Sequence, residues 1–425
     1  MALAKQLFIR SKKLLFNWLL IDQIIVSLFN FIIIIFLSRF LNIYDFGNYS
    51  GMFIVFLLLT SIQQAIFVSP IFTLEVDINE NNSFHRINEM RTVLVLFTIF
   101  LCFVFFIMSN IVMALISIKI NNLGFTFMLF FYLNNDFNRR VLIKLSKLKR
   151  VIFYDFVIYP LFFLSILLLK FSNNLSVDNI ILSYCSISLI ISVCLIWSIG
   201  LPLKIFFLDF KILKKYWSFS KWILYSSLSQ FITGNLFTVV ASNQLGVSVY
   251  GIVRVFQSFS GVFNVFLQYI DTQSSLDLPK IFNNSGVYSC LKYCYKILLF
   301  SVIILLSIYS VAFVFGFDRI INLIFGEKYA SYSYILNFVF ILVILNLINI
   351  FIRQLFRVFN STSKILITNL IASVLAIVSI DYIIKSFGIN GVYLGTIFSQ
   401  ISVILLSLWF LFLYNKTLSN NGRQL

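Results

Sequence analysis

Histidine is nearly absent: His85 is the single one among 425 residues. One imidazole, in a polar stretch between apolar runs, argues against histidine-based catalysis inside the chain's apolar body. Charge is scarce as well. Only 11% of the residues are charged and 60% are hydrophobic, whereas a water-soluble domain carries roughly 25% charged residues. A phosphate-binding ATPase loop is missing too. Gly246 and Gly251 have its glycine spacing, but Ile252 and Val253 stand where lysine and serine or threonine are required. No outer loop holds a pair of carboxylates at glycosidase spacing. The five cysteines fall mostly in apolar runs. Cys290 and Cys294 would share a helix face, but no histidine or carboxylate stands beside them, so inert buried thiols are expected rather than a metal site. The first apolar run is too long for a cleavable signal and no small-residue cleavage site follows it, so none is expected.

What is present is a series of apolar runs of about 20 residues, the length that crosses hydrocarbon as a helix. Twelve spans are expected, near 17–41, 51–72, 92–116, 122–138, 151–171, 178–199, 222–243, 250–270, 296–316, 332–352, 365–384 and 391–414. The net charge of +17 suggests nucleic acid at first sight, but its distribution removes that partner. With the N-terminus inside, the cytoplasmic segments hold 25 of the 32 lysines and arginines. The opposite side holds Arg39, Lys119, Lys170, Arg319, Lys328 and Lys385, and Arg254 lies within a span. Such a bias is the positive-inside pattern, with both termini cytoplasmic. Met1–Lys13 then reads as a basic amphipathic lead on the anionic leaflet. Glu75–Arg91 reads as a solvated loop, in which His85 could sense pH. Arg139–Arg150 reads as a topology anchor. Leu201–Lys221 reads as an interfacial linker helix with Trp217 and Trp222 at headgroup depth, and the segment after Tyr414 as a disordered tail.

The chain repeats itself. Trp18, Leu41, Phe46 and Gly47 recur as Trp222, Leu245, Tyr250 and Gly251, each 204 residues later. At a slightly longer offset, Arg139 and the basic run behind it correspond to Arg353, Arg357 and Lys364, and Asp155 to Asn369. Two repeated halves of about 200 residues are a transporter-like design. The expected fold is all-α: an N-terminal six-helix lobe (1–200), a linker (201–221) and a C-terminal six-helix lobe (222–425). The lobes are expected to be related by a pseudo-two-fold axis along the membrane normal, around a central cavity.

Polar residues inside the spans fall in stripes. In the eighth span Gly251, Arg254, Gln257, Ser258, Gly261, Asn264 and Gln268 recur at spacings of three and four, which is one helix face. Gln230, Gly234, Thr238 and Ser242 do the same in the seventh span, and Gln23, Ser27, Asn30 and Ser38 in the first. Such faces must meet protein or water, not lipid. A water-filled cavity and close helix packing both satisfy that demand. Arg254 is the sharpest residue, because a mid-span arginine costs roughly 2.5–3.5 kcal/mol on insertion scales. It needs a partner, a wet cavity or an anionic ligand, or else snorkels to the outer surface. Asp22 lies about 100° off the stripe of the first span and is expected to pair with a cation on a neighbouring helix. Asp155, Arg353 and Arg357 read as interface anchors.

Three segments carry a family resemblance. LSRFLNIYDFGNY (Leu37–Tyr49), NLIFGEKYASY (Asn322–Tyr332) and GINGVYLG (Gly388–Gly395) resemble stretches of polysaccharide exporters in the multidrug/oligosaccharidyl-lipid/polysaccharide flippase superfamily. The chain looks most like an O-antigen flippase of the Wzx type. The resemblance implies two six-helix lobes and a cationic cavity lined by the first, second, seventh and eighth spans. It implies export of undecaprenyl-pyrophosphate-linked sugar repeat units from the inner to the outer leaflet of the bacterial inner membrane. Arg254 matches the expected cation of the eighth span. Gln257, Asn264, Gln268, Gln230, Asn30, Gln23 and Arg39 complete the expected substrate-binding set. The first span departs, with Asp22 and only the terminal Arg39. Asp22 and Asp155 are candidates for coupling or charge pairing, with a proton or sodium gradient as the driving force. No cofactor, metal or enzymatic activity is expected. The expected partners are the lipid-linked oligosaccharide, membrane lipids and other polysaccharide-assembly proteins, around a monomer.

Two rivals remain: a cation-coupled drug or metabolite exporter of the same superfamily, and a membrane polysaccharide polymerase or ligase. The first wants buried carboxylates. The second usually carries a large outer loop with paired basic residues. Reporter fusions test the topology. Fusions after Lys149 and Lys215 are expected to read cytoplasm, and those after Lys170 and Lys328 the outside. A swapped side at any of the four overturns the span assignment downstream of it.

Overall fold

The computed structural model describes residues 22–74, 80–145, 147–199, 210–359 and 361–420. Trp18, the basic lead, residues 75–79, residues 201–209 of the expected linker and residues 421–425 lie outside the described residues, as does the side chain of His85. Among the described residues the chain is helical, with no strand. In hydrocarbon only a structure that satisfies its own backbone can cross, and a helix does so within one segment.

The helices run α1 (Asp22–Phe40), α2 (Ile43–Gln63), a π-helical turn (Gln64–Val68), α3 (Ser69–Leu74), α4 (Glu80–Leu115), α5 (Asn122–Lys144), α6 (Leu148–Phe171), α7 (Val177–Ile199), α8 (Phe210–Leu245), α9 (Ser248–Phe315), α10 (Phe317–Phe325), a 3-10 turn (Glu327–Tyr332), α11 (Ile335–Val358), α12 (Thr362–Phe387) and α13 (Asn390–Asn420). Their starts are written locally. Asn42 caps α2 by accepting the Asp45 amide at 2.6 Å, and Asn121 caps α5 by accepting the amides of Leu123 and Gly124. Gly316, with φ 86, separates α9 from α10 in a conformation that a side chain would strain.

Over its described residues, every expected span falls on a helix. Ten helical segments among the described residues are long and apolar enough to cross a membrane. The expected spans 122–138 and 250–270 fall on α5 and the first part of α9, and neither is among those ten. The reason is their polar load: α5 holds Asn134, Asn135, Asp136, Arg139 and Arg140, and α9 holds Arg254, Gln257, Asn264 and Gln268. The two helices that look least like membrane spans both carry candidate site residues, as do α1, α6, α8 and α11, which are among the ten.

Contacts divide the chain into two compact units, Met1–Ser227 and Leu228–Leu425. In the first, α5 is the hub, packed against α2, α4, α6 and α7. In the second, α11 is the hub, packed against α9, α12 and α13. The hubs hold each unit's interior: Leu129, Leu133 and Phe137 of α5, and Val343, Leu347 and Phe351 of α11, are buried. The outward faces stay apolar. Phe100, Phe103 and Ile107 of α4 are each more than half exposed, as lipid-facing side chains should be.

The 204-residue repeat is visible in the helix breaks. Between α1 and α2 the chain turns at Leu41, and Phe46 is buried in the first turn of α2. Between α8 and α9 it turns just after Leu245, and Tyr250 is buried in the first turn of α9.

Four expectations are corrected. Glu75–Arg91 is not a solvated loop throughout, because α4 begins at Glu80 and Arg91 is 2% exposed, its Nε donating to Asn138 at 3.1 Å. An arginine that close to the apolar run is taken up by a side-chain acceptor instead of water. The linker does not stand as a separate helix from Phe210 onward; it is continuous with the seventh span in the 36-residue α8. The segment after Tyr414 continues α13 to Asn420, since nothing in it breaks a helix. The expected gap between the eighth and ninth spans is also helical, and turns at Gly286 with φ 76. Residues 248–285 are therefore about 57 Å of helix, longer than the hydrocarbon is thick.

Gly395 of α13 lies against the ring of Phe237, which is fully buried; a Cβ there would come within 2.2 Å of it. Gly395→Ala is therefore expected to cost about 1–3 kcal/mol through overpacking. A lower unfolding midpoint of the detergent-purified variant checks it.

Candidate functional site

Each unit contains a polar cavity beside its hub helix. In the first unit the cavity is about 230 Å³ and its lining includes Asn30 of α1, Tyr132, Asn135, Asp136 and Arg139 of α5, Tyr154, Asp155 and Tyr159 of α6, and Tyr184 of α7. Arg139 dominates it. Its Nε donates to Asp155 Oδ2 at 2.7 Å, and its Nη2 donates to Asp22 Oδ2. Both carboxylates are 3% exposed. One guanidinium thus bridges two buried acids from two other helices. The planar fork of arginine suits this; a lysine could not hold both in the same geometry. One turn earlier, Asp136 is paired instead with Arg140, at 2.8 Å.

Arg139 is therefore not a surface anchor of topology. It lies five residues before the end of α5, inside the unit. The cation that Asp22 was expected to meet is Arg139, and Asp155 is tied to the same group rather than anchoring an interface. Sequence reasoning missed Arg139 as a site residue because the basic run behind it has a sufficient explanation in topology.

In the second unit the cavity is about 220 Å³. Gln230 and Thr233 of α8, Asn346, Asn349 and Arg353 of α11, Thr368 and Asn369 of α12, and Ser399, Gln400 and Ser407 of α13 line it. Half of each lining corresponds residue by residue to the other. Tyr132, Asn135, Arg139, Leu142, Val151, Tyr154 and Asp155 stand 214 residues before Asn346, Asn349, Arg353, Phe356, Ile365, Thr368 and Asn369. The cavities are thus equivalent places in the repeat, with different chemistry. The first holds one arginine between two acids. No carboxylate lines the second, because Asn369 replaces the equivalent of Asp155. Among the described residues Arg353 makes no ion pair. Asp271 of α9 acts on its charge from farther away, but is itself hydrogen-bonded by Gln354 at 2.7 Å. Arg353 too is a cavity residue and not an interface anchor.

The remaining expected residues lie elsewhere. Arg254 and Gln257 are half-buried on α9, while Asn264 and Gln268 on the same face are exposed. None of these four lines either cavity. Gln23 and Arg39 are exposed on α1. The first-unit cavity gathers Asn30 and Asp155, with Asp22 bound through Arg139, and the second gathers Gln230. Asp381, near the C-terminal end of α12, is exposed and engaged by Gln244 at 2.8 Å and Lys385 at 2.7 Å. Among the described residues no group of three metal-ligating side chains occurs.

The fold is shared with known proteins. A multidrug resistance MATE family transporter of the MOP superfamily, in its inward-facing conformation, superposes with TM-score 0.71 at 13% identity, over 90% of this chain and 93% of the other. The lipid II flippase MurJ, inward closed, gives 0.67 at 13% identity, over 94% of this chain and 87% of the other. A MOP superfamily transporter from Pyrococcus furiosus Vc1 (DSM3638) gives 0.64 at 12% identity, over 93% and 94%. No family model matches the chain, and no curated protein matches it by sequence. The protein is a multi-pass, all-helical membrane protein. Its fold is that of MOP-superfamily transporters.

Replacing Arg139 with leucine would leave Asp22 and Asp155 buried beside each other without their cation. A cost of about 3–5 kcal/mol is expected, the range for breaking a buried pair from one side. Adding Asp22→Asn and Asp155→Asn to that variant should recover much of the loss. Unfolding midpoints of the single and triple variants in micelles measure it. A triple variant as unstable as the single one would show that the ionic contacts are not what the arginine supplies.

Proposed function

We propose that the chain is a flippase for undecaprenyl-pyrophosphate-linked oligosaccharide repeat units, such as O-antigen or a similar surface polysaccharide. It carries them from the inner to the outer leaflet of the bacterial inner membrane by alternating access. The observation that carries this reading is Arg254. It is a half-buried arginine within an expected span, on a face with Gln257, Gly261, Asn264 and Gln268, and no acidic residue follows on that helix before Asp271. A guanidinium suits a pyrophosphate because its donors match phosphate oxygens in pairs. Amides and hydroxyls on the same face suit sugar hydroxyls. The three segments that resemble polysaccharide exporters point the same way, and the fold is shared with a lipid II flippase as well as with drug transporters.

One observation favours the cation-coupled exporter as a second reading. Asp22 and Asp155 are the buried carboxylates that such a mechanism needs. Both are already held by Arg139, which ranks this reading below the first. Deletion of the gene in the parent bacterium separates the two. Accumulation of lipid-linked repeat units on the inner leaflet is expected of a flippase, and unchanged surface polysaccharide with altered drug tolerance of an exporter.

Arg254→Ala is expected to abolish or strongly reduce surface polysaccharide in a complementation test while the protein still inserts and accumulates. Arg254→Lys keeps the charge without the fork and should be partly active, and Arg254→Glu inactive. Full surface polysaccharide from Arg254→Ala, at normal membrane levels, would return Arg254 to a snorkelling role.

A further inference from the structure

We propose that the cavity of the second unit binds an oxyanion carried on a hydroxylated group, with Arg353 as its cation and Asn349 as an acceptor for a ligand hydroxyl. The inference does not depend on which substrate the chain transports.

The first argument is the comparison between equivalent places. In the first unit the position of Arg353 is held by Arg139, and its charge is answered internally by Asp155 and Asp22. In the second unit the residue equivalent to Asp155 is Asn369, and no carboxylate lines the cavity. The arginine is kept while the acid equivalent to Asp155 is absent, and Asp271, which acts on it from farther away, is hydrogen-bonded by Gln354. A cation that lines a cavity of about 220 Å³ without an ion pair among the described residues is complementary to an anion from outside.

The second argument concerns hydrogen-bond direction. The hydroxyls of Thr233, Thr368 and Ser399 donate back to carbonyls of their own helices, at 3.0–3.2 Å. Asn349 Nδ2 donates to Gln400 Oε1. Asn349 is 7% exposed, and its Oδ1 is buried with no hydrogen-bond partner. These groups present spare acceptors, so they need donors from the ligand. A bare anion brings none. A sugar phosphate, a polyol phosphate or a sugar acid brings an anionic oxygen for Arg353 and hydroxyls for the acceptors. Leaving a buried acceptor unsatisfied is costly, so a ligand that answers Asn349 is favoured over one that does not.

Two sources offer this chemistry. One is a soluble hydroxylated phosphate or carboxylate. The other is the glycerol-phosphate headgroup of an anionic lipid, because Arg353 lies five residues before the end of α11 that the charge pattern assigns to the cytoplasmic face.

The test uses the full chain, purified in detergent or placed in nanodiscs, and reads its unfolding midpoint. The soluble probes are glycerol 1-phosphate and glucuronate, with glycerol as the uncharged control. The lipid probe compares nanodiscs of phosphatidylglycerol with nanodiscs of phosphatidylcholine. A saturable rise with either soluble probe but not with glycerol supports the soluble source. A rise confined to phosphatidylglycerol supports the lipid source. The deciding variant is Asn369→Asp, which restores the carboxylate found at the equivalent place in the first unit. It should unfold no lower than the wild type without probe and bind the effective probe at least about tenfold more weakly. Arg353→Gln should weaken binding likewise, and Arg353→Lys less. Absence of any probe response in the wild type overturns the proposal. So does an Asn369→Asp variant that responds as the wild type does.

Discussion

A charge in hydrocarbon must be answered by another charge, by water or by a ligand, and this constraint organises both halves of the chain. Its clearest expression is Arg139. From the hub helix α5 it reaches Asp22 of α1 and Asp155 of α6. Apolar packing alone orients membrane helices weakly, because lipid tails are as apolar as leucine side chains. A three-part ionic contact with one allowed geometry gives α1, α5 and α6 a register that packing would not. The same constraint governs Arg91, which is almost fully buried and finds Asn138.

The equivalent place in the second unit meets the constraint differently. Asn135 and Asn349 occupy matching positions, as do Tyr132 and Asn346, and Arg139 and Arg353. Between the halves the arginine is kept, while the acid at Asp155 becomes the amide Asn369 and several neighbours change with it. A repeat of this kind keeps the scaffold while one copy is freed for other chemistry. The first cavity is close to electrically self-sufficient. The second carries a positive charge surrounded by amides and hydroxyls. Differences in polarity between equivalent cavities let one fold present different chemistry at the same place.

Polarity also explains why α5 and the first part of α9 are the hardest helices to recognise as spans. α5 and the first part of α9 carry enough charge and amide to fall outside the ten apolar segments. A helix can afford that load only where its polar side is turned to protein or water. The uniformly apolar α4, by contrast, leaves Phe100, Phe103 and Ile107 exposed and contributes scaffold. Helix length carries information too. α8 and the first part of α9 are each longer than the hydrocarbon is thick, so the chain between expected spans is partly helical rather than loop.

The amino-acid sequence by itself determined that this is a helical membrane protein with a repeat. Hydropathy, basic-residue bias and the recurrence of Leu41, Phe46 and Gly47 as Leu245, Tyr250 and Gly251 are one-dimensional signals, because a spanning helix satisfies its backbone locally. The polar faces around Arg254 and Asn30 were legible for the same reason, since residues three and four apart share a helix face. The charge network was not. Arg139 is 117 residues from Asp22 and 16 from Asp155, and the basic run around it has a sufficient topological meaning. The correspondence of Arg139 with Arg353 and of Asp155 with Asn369 could be read along the chain. That these pairs line two equivalent cavities could not, because which side chains share a cavity depends on how separate helices rotate and pack, and only the tertiary structure decides that.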